Sequence, residues 1–502
     1  MVQQVPIQSR CREQGGVLDV PQIGKLSVIP RRICYGPGPM ELLSSIEQVA
    51  WPAIPAGTAA QLLALQYQFD ATQWLPAEQL RSHQFGQLQA LLQHAAATVP
   101  FHAERLRRAG IDPHEPLTEA AWARLPILTR RDVRDAGDLL HASSIPASHG
   151  ATGETTTGGS TGIPVRVRRS AVDTLTWSAV AIREEIWHRD DMLGFKVRVR
   201  GPPAGLTEEQ KRQLRSADGL QRASWGPPAA LLWQTGRSAI LDYTTPVSRQ
   251  AEFLRRMEAM YLFTVPSNLR LLLSHCRDNH IVLPDLRAVW TISEVVDGSL
   301  RKFCHDIFGV RIVSNYSAAE TGYIALQCPD HDHYHVQSEV IFVEVLNDTG
   351  NPCAPGEIGR VVVTPLHNFA MPLLRYELGD EAEVGAPCPC GRGLPVLRRV
   401  VGRTLDYLTL PSGEKRRPIV HHYRLSAIAA IREFQIVQRS LERIEVLMVL
   451  SRPLSAEEKA TITAVLAAGL GSEFDIVLTP CETIPRTAAG KLQVFMSDLP
   501  RV

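Results

Sequence analysis

The sequence has 502 residues, more than one hydrophobic core usually supports, so two or more domains are expected. Hydrophobic residues at 44% and charged residues at 21% are typical of soluble globular proteins. The 53 basic and 52 acidic side chains leave a net charge of +1, which gives no reason to expect a nucleic-acid partner. No apolar run reaches the ~20 residues that cross a bilayer, and the N-terminus lacks the apolar stretch of a signal peptide. We therefore predict a cytoplasmic protein without a membrane partner.

Three parts follow one another along the chain. Residues 1–77 carry Pro and Gly punctuation and form a predicted N-terminal extension. Residues 78–402 begin with helical patterns, one over about 78–110 and the next within LPILTRRDVRDA at 125–136. Short β-branched runs such as FKVRVR and VRIVSN then alternate with helical stretches such as RQAEFLRRMEAMYL, which predicts an α/β domain with parallel or mixed sheets flanked by helices. Residues 403–502 are predicted to form a small, mobile α+β domain.

The first candidate for binding chemistry is the segment TTTGGSTGIP at residues 155–164. Its glycines allow backbone N–H groups to approach an anion closely, and its hydroxyls add donors for phosphate oxygens. It is not a Walker A loop, because the final Gly-Lys-Ser/Thr is missing. Taken alone, it is equally well a flexible linker, and it gains meaning only from the segments that follow.

Four further segments come in order after this glycine loop. They are NYSAAETG at 315–322, RYELGD at 375–380, GRTLD at 402–406 and PRTAAGK at 485–491. The first follows the apolar run VRIV, which places it at a strand end, where α/β sheets bind ligands.

This ordered set resembles the adenylate-forming superfamily. The five segments match its phosphate loop, its aromatic motif ending in Glu, its Tyr-x-x-Gly-Asp motif, its Gly-Arg hinge and its Gly-Lys tail. The wording is most similar to the branch that contains phenylacetate–CoA ligase and the capsule-biosynthesis ligases. The resemblance covers the chain from about residue 78 to the end. One departure is Leu405, where the family's hinge carries Asp or Lys, with Asp406 following.

The resemblance implies ATP, Mg²⁺ and CoA as cofactors and a carboxylic acid as substrate. Glu320, Arg403 and Lys491 would be the catalytic residues, with Glu320 holding Mg²⁺. Lys491 would bring positive charge to the reacting carboxylate and α-phosphate. The nucleotide would be bound by Thr157, Gly158, Gly159, Ser160, Thr161, Gly162, Asn315, Tyr316, Ser317, Thr321, Asp380 and Arg403.

Each of these roles has an ordinary structural alternative. Tyr316 is placed against the adenine, but it is equally well a core aromatic residue. Asp380 is placed on the ribose hydroxyls, but Asp after Gly379 is also common in turns. Glu320 and Lys491 would otherwise be solvated surface residues.

A second set of residues has the composition of a metal site. Cys328 is followed by three histidines, and Cys388-Pro-Cys390 comes about fifty residues later. Three thiolates and one imidazole form a common zinc tetrahedron with no open position for catalysis. The resemblance implies a similar structural set, which assigns Zn²⁺ to Cys328, His335, Cys388 and Cys390. His331 and His333 are alternative ligands, and reduced cysteines without a metal remain the other interpretation.

The substrate is less well defined by the sequence. Candidate linings for the acid pocket are Trp225, Trp233, Tyr243, the segment 264–268 and Ser293, which fit an aromatic acid slightly better than a long acyl chain. The acyl acceptor is CoA, with a carrier-protein thiol or an amine as alternatives. A non-catalytic nucleotide-binding regulator and a plain ATPase are other classes. The presence of Glu320, Asp380 and Lys491 argues against the former, and no device for positioning water is found for the latter.

Overall fold

A computed structural model describes residues 42–156, 165–203, 205–403, 408–413, 415–416, 425, 428–429, 431–470, 474–485 and 495–499. They all belong to one compact unit of the chain, Gly36–Val502. Residues 157–164 of the predicted glycine loop, residues 404–406 of the predicted hinge and Lys491 lie outside the described residues, as does most of the predicted extension.

The helices begin with α1, which lies within the predicted extension. The larger part of the molecule contains α1 (Gly57–Thr72), α2 (Ala77–Thr98), α3 (Pro100–Arg108), α4 (Glu119–Arg124), α5 (Arg130–Ala136), α6 (Ala171–His188), α7 (Glu208–Leu214), α8 (Ala229–Leu232), α9 (Val247–Arg256), α10 (Pro266–Asp278) and α11 (Gly298–Phe308). Among the described residues, no helix combines the length and the apolar character needed to cross a membrane.

Most strands belong to one twelve-stranded sheet. The strands before the small domain are β1 (Thr152–Thr156), β2 (Arg166–Ser170), β3 (Lys196–Arg200), β4 (Leu220–Arg222), β5 (Ser238–Asp242), β6 (Tyr261–Thr264), β7 (Ala288–Thr291), β8 (Arg311–Ala318), β9 (Gly322–Gln327), β10 (Tyr334–Val336), β11 (Ile341–Leu346), β12 (Ile358–Pro365), β13 (Tyr376–Val384) and β14 (Val396–Arg403). The order across the sheet is β11-β12-β13-β14-β10-β9-β8-β7-β6-β3-β5-β4.

The sheet is antiparallel in one half and parallel in the other, apart from the edge strand β4, which pairs antiparallel with β5. Strands β5, β3, β6, β7 and β8 pair in parallel and are connected through helices, as in α/β proteins. From β8 onwards each pairing is antiparallel, through β9, β10, β14, β13, β12 and β11. Strand β8 therefore belongs to both halves, and its carboxyl end marks the change from one pattern to the other. The predicted α/β class with a mixed sheet is confirmed.

The small domain has its own sheets and core. Its elements are β15 (Leu408–Thr409), β16 (Lys415–Arg416), β17 (Ile431–Gln438), β18 (Arg443–Leu450), α12 (Ala456–Leu470), β19 (Asp475–Cys481) and β20 (Phe495–Ser497). Four strands form a sheet in the order β19-β18-β17-β20, and β15 pairs with β16. Apolar residues of α12, including Ile462 and Leu466, are buried with Phe434 and Ile444 of the sheet. The α+β character predicted for this part is confirmed.

The helical pattern predicted over residues 78–110 is broken at one proline. Pro100 has no N–H to donate, so α2 ends at Thr98 and α3 begins with Pro100 at its first position. The next predicted helix, within LPILTRRDVRDA, is α5. It begins with a capping box, in which the Thr129 side chain and the Asp132 side chain each accept from the other residue's backbone N–H.

Helix α1 packs on the large domain through buried side chains. Leu62 and Phe69 of α1 join a core cluster with Ala179 and Ile182 of α6. Arg183 of α6 donates to the Phe69 carbonyl at 2.8 Å and lies over the Phe69 ring. These contacts make α1 part of the layer that covers α6.

Candidate active site and metal centre

The aromatic motif lies where the sequence places it, at the end of β8 and in the turn before β9. Tyr316 is buried in the core cluster of the antiparallel half. Its hydroxyl donates to Oδ2 of Asp380 on β13 at 2.9 Å. Tyr316 is therefore a core aromatic residue that also contacts Asp380, the residue predicted to bind the ribose. Two motifs separated by more than sixty residues meet in this hydrogen bond.

The Gly-Arg segment meets the same place through strand pairing. Asp380 on β13 is the register partner of Arg403, the last residue of β14. Gly379 before it has φ +77°, a conformation that favours glycine. Strand pairing thus places Asp380, the predicted ribose ligand, opposite Arg403, the predicted hinge arginine. Arg403 is also the residue at which the small domain is predicted to begin.

Glu320 is almost fully buried in the turn after β8. Its Oε1 pairs with Nη1 of Arg130, the first residue of α5, at 3.0 Å. The next residue, Thr321, is buried as well, and within the described residues its Oγ1 has no hydrogen-bond partner. An unpaired buried hydroxyl beside a buried carboxylate is costly unless a ligand or water completes it. These donor atoms suit a hydrated Mg²⁺ held by one carboxylate and substrate phosphates.

Arg169, which the sequence motifs do not include, holds this turn in place. Arg169 of β2 donates from Nη2 to the Ala319 carbonyl at 2.6 Å and pairs through Nη1 with Asp173 at 2.5 Å. The Arg169 guanidinium also lies over the Trp177 ring, 4.4 Å from its centre. Arg169 therefore connects the strand that leaves the glycine loop with the turn that carries Glu320. The only sequence signal is the four-residue spacing from Arg169 to Asp173.

Asn315 faces helix α6. Its Nδ2 donates to the carboxyl of Glu184 at 3.0 and 3.2 Å, and its Oδ1 accepts from the Ser317 hydroxyl at 3.1 Å. Burial raises the pKa of Glu184 to about 8, and the neighbouring Glu185 acts in the same direction. The amide predicted to contact the nucleotide is thus engaged within the protein in this structure.

Strands β1 and β2 precede and follow the predicted glycine loop in sequence. They pair as an antiparallel hairpin in register from Thr152 opposite Ser170 to Thr156 opposite Arg166. Residues 157–164 connect the two strands, so Thr157–Gly162 lie at the tip of this hairpin in sequence and outside the described residues. Lys491 and the side chain of Arg403 are likewise not described.

Several residues suggested as the lining of the acid pocket are packed against other parts of the protein. Trp225 and Trp233 are buried in one core cluster, and Trp225 Nε1 donates to the Gly194 carbonyl at 2.8 Å. Asn268 donates to Thr264 at 2.9 Å within a buried amide network. These side chains have the structural role that most aromatic and polar core residues have, and the identity of the acid pocket stays a prediction.

The candidate metal centre is assembled from strands that are far apart in sequence. Cys328 follows β9, His335 lies in β10, and Cys388 and Cys390 lie in the loop between β13 and β14. Donor atoms of Cys328, His333, His335 and Cys388 all lie within 4.8 Å of one another. Cys390 Sγ lies 3.5 Å from Nε2 of His335. The mutual cluster therefore contains three of the predicted ligands and the alternative ligand His333, while the fourth predicted ligand, Cys390, lies next to it against His335.

The distances can be compared with zinc geometry. A tetrahedral ion with bonds of about 2.3 Å to sulfur and about 2.0–2.1 Å to nitrogen sets neighbouring donor atoms about 3.3–3.8 Å apart. Cys328 Sγ and Cys388 Sγ are separated by 3.8 Å, and the His335–Cys390 distance is 3.5 Å. His333 Nε2 is only 2.9 Å from Cys388 Sγ, which is closer than that edge. The composition of the donor set fits zinc. Cys390 matches a tetrahedral edge in its distance to His335, whereas His333 belongs to the mutual cluster but lies closer to Cys388 than such an edge.

The mixed sheet, the strand-end motif and the separate small domain define an adenylate-forming enzyme. The AMP-binding enzyme family matches residues 86–370, and the CapK C-terminal domain matches residues 414–498. The chain thus belongs to the AMP-binding enzyme family and carries a CapK-type C-terminal domain.

Curated relatives extend over most of the chain. Phenylacetate–coenzyme A ligase from Thermus thermophilus is 24% identical over 84% of this chain and 96% of its own length. The Escherichia coli phenylacetate–coenzyme A ligase is 22% identical over 85% of this chain and 97% of its own. Among solved structures, 2-hydroxyisobutyryl-CoA ligase in its postadenylation state superposes with a TM-score of 0.65 at 18% identity, covering 85% of this chain and 91% of that one. This last similarity shows the shared fold.

Proposed function

We propose that this enzyme activates a carboxylic acid with ATP as the acyl-adenylate, releases pyrophosphate, and transfers the acyl group to CoA. The observation that carries the proposal is the convergence of the Tyr316–Asp380 hydrogen bond and the buried Glu320 at the end of β8. Family membership and relatives named as CoA ligases support the same chemistry.

In the first half-reaction a carboxylate oxygen of the substrate attacks the α-phosphorus of ATP, and the bond from that phosphorus to pyrophosphate breaks. Catalysis then depends on positioning and charge stabilisation. Asp380, oriented by Tyr316, would accept hydrogen bonds from the ribose hydroxyls. Glu320 would hold Mg²⁺, which when bound neutralises negative charge on the phosphates. The glycine loop from Thr157 to Gly162 would cradle the leaving phosphates. Lys491 would reach the nucleotide from the small domain, and Arg403, the last residue of β14, would reach it from the domain boundary.

In the second half-reaction the thiol sulfur of CoA attacks the acyl carbon, the thiol loses its proton, and AMP leaves. The same small domain would have to move between the two steps, around Gly402 to Asp406. The domain division at residues 402 and 403 belongs to this proposal, as does the cytosolic location predicted from the sequence.

The substrate we propose is an aromatic acid. The support is the name of the curated relatives, phenylacetate–coenzyme A ligase, and their near-complete overlap with this chain. The alternative acceptors, a carrier-protein thiol and an amine, share the first half-reaction and differ only in the second.

We also propose that Cys328, His335, Cys388 and Cys390 bind one structural Zn²⁺. Four protein ligands leave no open position on the ion, so it would stabilise the fold and take no part in catalysis.

An acceptor assay tests the proposed function. The enzyme is incubated with ATP, Mg²⁺ and a panel of aromatic and aliphatic acids, and each reaction is divided between CoA and hydroxylamine. Mass spectrometry of an acyl-CoA from at least one aromatic acid is the expected result. An acyl-hydroxamate without any thioester would assign the second half-reaction to another acceptor.

A further inference from the structure

A cavity of about 350 Å³ lies at the open end of the β1–β2 hairpin. Its lining comes from three parts of the chain and includes Ser143, Ser144, Thr152, Arg168 and Ala370. The volume lies at the lower end of the range of about 300–1,000 Å³ in which proteins bind small molecules. None of the residues assigned to the nucleotide or to the metal lines it.

Hydrogen bonds fix the walls of this cavity. The Ala142 N–H donates to the Ala370 carbonyl at 3.0 Å, which joins the segment before the hairpin to the segment before β13. Asn368 Nδ2 donates to the backbone carbonyl of Arg168 at 3.1 Å. The cavity is therefore formed by backbone that is tied together on both sides.

Arg168 provides positive charge at the cavity wall. Its Nε and Nη2 donate to Oγ1 of Thr152 at 3.3 and 3.1 Å. The acid opposite Arg168 in the hairpin is Glu154, but its carboxylate lies 4.0 Å from Arg166, the neighbour on the exposed end of β2. Within the described residues, Arg168 forms no ion pair, and none of the lining residues is acidic.

The remaining polar groups at the wall are hydroxyls. Ser143 and Ser144 line the cavity beside Arg168, and hydroxyl groups can donate to an anion. A guanidinium has five donors in a planar fork, more than Thr152 can accept, and its geometry matches the oxygens of phosphate. A cation without a protein counter-ion, next to hydroxyls, is the chemistry of an oxyanion site.

We propose that this cavity binds a phosphate-class oxyanion through Arg168, with Ser143 and Ser144 as further donors. The site differs from the glycine loop, because β1 separates Thr152 from residue 157 by about 17 Å of extended chain. Both lie on one hairpin, so an anion at Arg168 would hold the strands that present the loop. The group could come from free phosphate or pyrophosphate, or from a phosphate of CoA.

Isothermal titration of the full-length protein tests the proposal, with inorganic phosphate, pyrophosphate, CoA and 3′-dephospho-CoA as separate probes. The expected result is binding of at least one probe that weakens about tenfold or more in R168Q, because a hydrogen bond to a charged group is lost. Tighter binding of CoA than of 3′-dephospho-CoA would identify the CoA 3′-phosphate as the source.

Two control variants distinguish this site from others. R107Q removes an exposed arginine of α3 that does not line the cavity, and D380A alters the proposed nucleotide site, so both should bind the probe as the wild type does. If R168Q does not fold by circular dichroism, A370L, which fills the cavity, and R168K, which keeps the charge, replace it. Equal affinity in wild type and in R168Q or A370L, or no binding of any probe at millimolar concentration, would overturn the proposal. Loss in D380A alone would mean that the proposed nucleotide site around Asp380 binds the probe, and would also overturn the proposal.

Discussion

The hydroxyl of Tyr316 reaches Asp380 from a ring that is otherwise buried among apolar side chains. Packing thus fixes the ring, and the ring fixes the carboxylate. A carboxylate that accepts from a rigid donor loses rotational freedom before any ligand arrives, which lowers the entropic cost of orienting it on a ribose. We therefore propose that Tyr316 positions Asp380.

Replacing Tyr316 by Phe tests that role. Y316F keeps the buried ring and removes one hydrogen bond worth about 1 kcal/mol, so the KM for ATP should rise roughly fivefold while kcat changes little. Steady-state kinetics with varied ATP measure it. Y334F removes the hydroxyl of another buried tyrosine, which donates to Ser314 at 3.3 Å, and should leave the KM for ATP unchanged. Equal effects of the two variants would refute a specific link to Asp380.

Glu184 makes stability depend on pH. Its pKa is about 8 in the folded protein against an ordinary 4.5, because burial disfavours the charged form. Between these values the folded protein holds a proton that the unfolded chain has released, so the free energy of unfolding falls as pH rises from about 4.5 to 8. E184Q has no such proton. The free energy of unfolding of E184Q relative to wild type should therefore rise between pH 5 and pH 8, by an amount on the order of a few kcal/mol at most, and thermal melts at several pH values measure it.

Glu339 gives a control of opposite sign for this measurement. Burial alone would raise the pKa of Glu339, but the Arg183 guanidinium, paired with it at 2.8 Å, holds that pKa below its ordinary value. E339Q should therefore be destabilised relative to wild type near neutral pH, and the deficit should shrink on acidification. A melting difference for E184Q that does not change with pH would contradict the assigned protonation of Glu184.

At the scale of elements, the positions of strands in the sequence were easier to predict than the strands with which they pair. The β-branched runs FKVRVR and VRIVSN form β3 and β8, because β-branched residues favour the pleated surface of a strand, and Val197 and Val199 of β3 are fully buried. The helical stretch predicted from RQAEFLRRMEAMYL ends earlier, at Arg256, and its last residues begin β6. Local sequence does not show that Tyr261 pairs with Lys196 of β3, since that pairing is made by tertiary contact.

The candidate site shows the same limit. Ordered motifs predicted Tyr316, Glu320 and Asp380, and the first and last of these meet in the fold. Arg130, Arg169 and Glu184 were not predicted, although each contacts a motif residue or its turn. They come from α5, β2 and α6, whose positions relative to the motif depend on packing of the whole domain. Spacing in sequence carries no information on such contacts.

The metal centre connects β9, β10 and the loop before β14, so its loss should affect those elements together. We expect about one equivalent of zinc in purified protein and its loss in C388S, with misfolding or a large fall in melting temperature. Structural zinc contributes on the order of 10 kcal/mol of apparent binding free energy. Metal analysis and thermal melts measure both effects, and C481S, a cysteine of β19 outside the centre, is the control.

The fourth ligand can be identified with the same two measurements. C390S should lower the zinc content and the melting temperature more than H333A, because Cys390 meets the tetrahedral edge with His335. The reverse order would assign His333 to the ion. Purified protein that is folded and active without zinc would contradict the proposed zinc site.

At the scale of the whole molecule, the chain combines a large domain that holds the nucleotide residues with a small domain that carries Lys491. Lys491 lies beyond the described residues, so its role follows from the Gly-Lys motif and the family. If the small domain brings Lys491 to the α-phosphate only during adenylation, the two half-reactions should depend on it differently.

K491A should therefore cripple formation of the acyl-adenylate, by about 10²-fold or more, while acyl transfer from a supplied acyl-adenylate to CoA stays near normal. Single-turnover assays of each half-reaction measure the two rates. K459A, in the first half of α12, changes a lysine of the same domain and should leave both rates unchanged. Equal losses in both half-reactions of K491A would show that Lys491 is structural or that the domain does not alternate.

The central claim is that ATP is cleaved between its α- and β-phosphates by a carboxylate. Exchange of radiolabelled pyrophosphate into ATP, with and without each acid of the panel, measures this step directly and needs no acceptor. The rate of exchange should depend on an acid and on Mg²⁺, and it should fall strongly in K491A and E320Q. Exchange at the same rate without any acid, or hydrolysis of ATP to ADP and phosphate with no exchange under any acid, would contradict it.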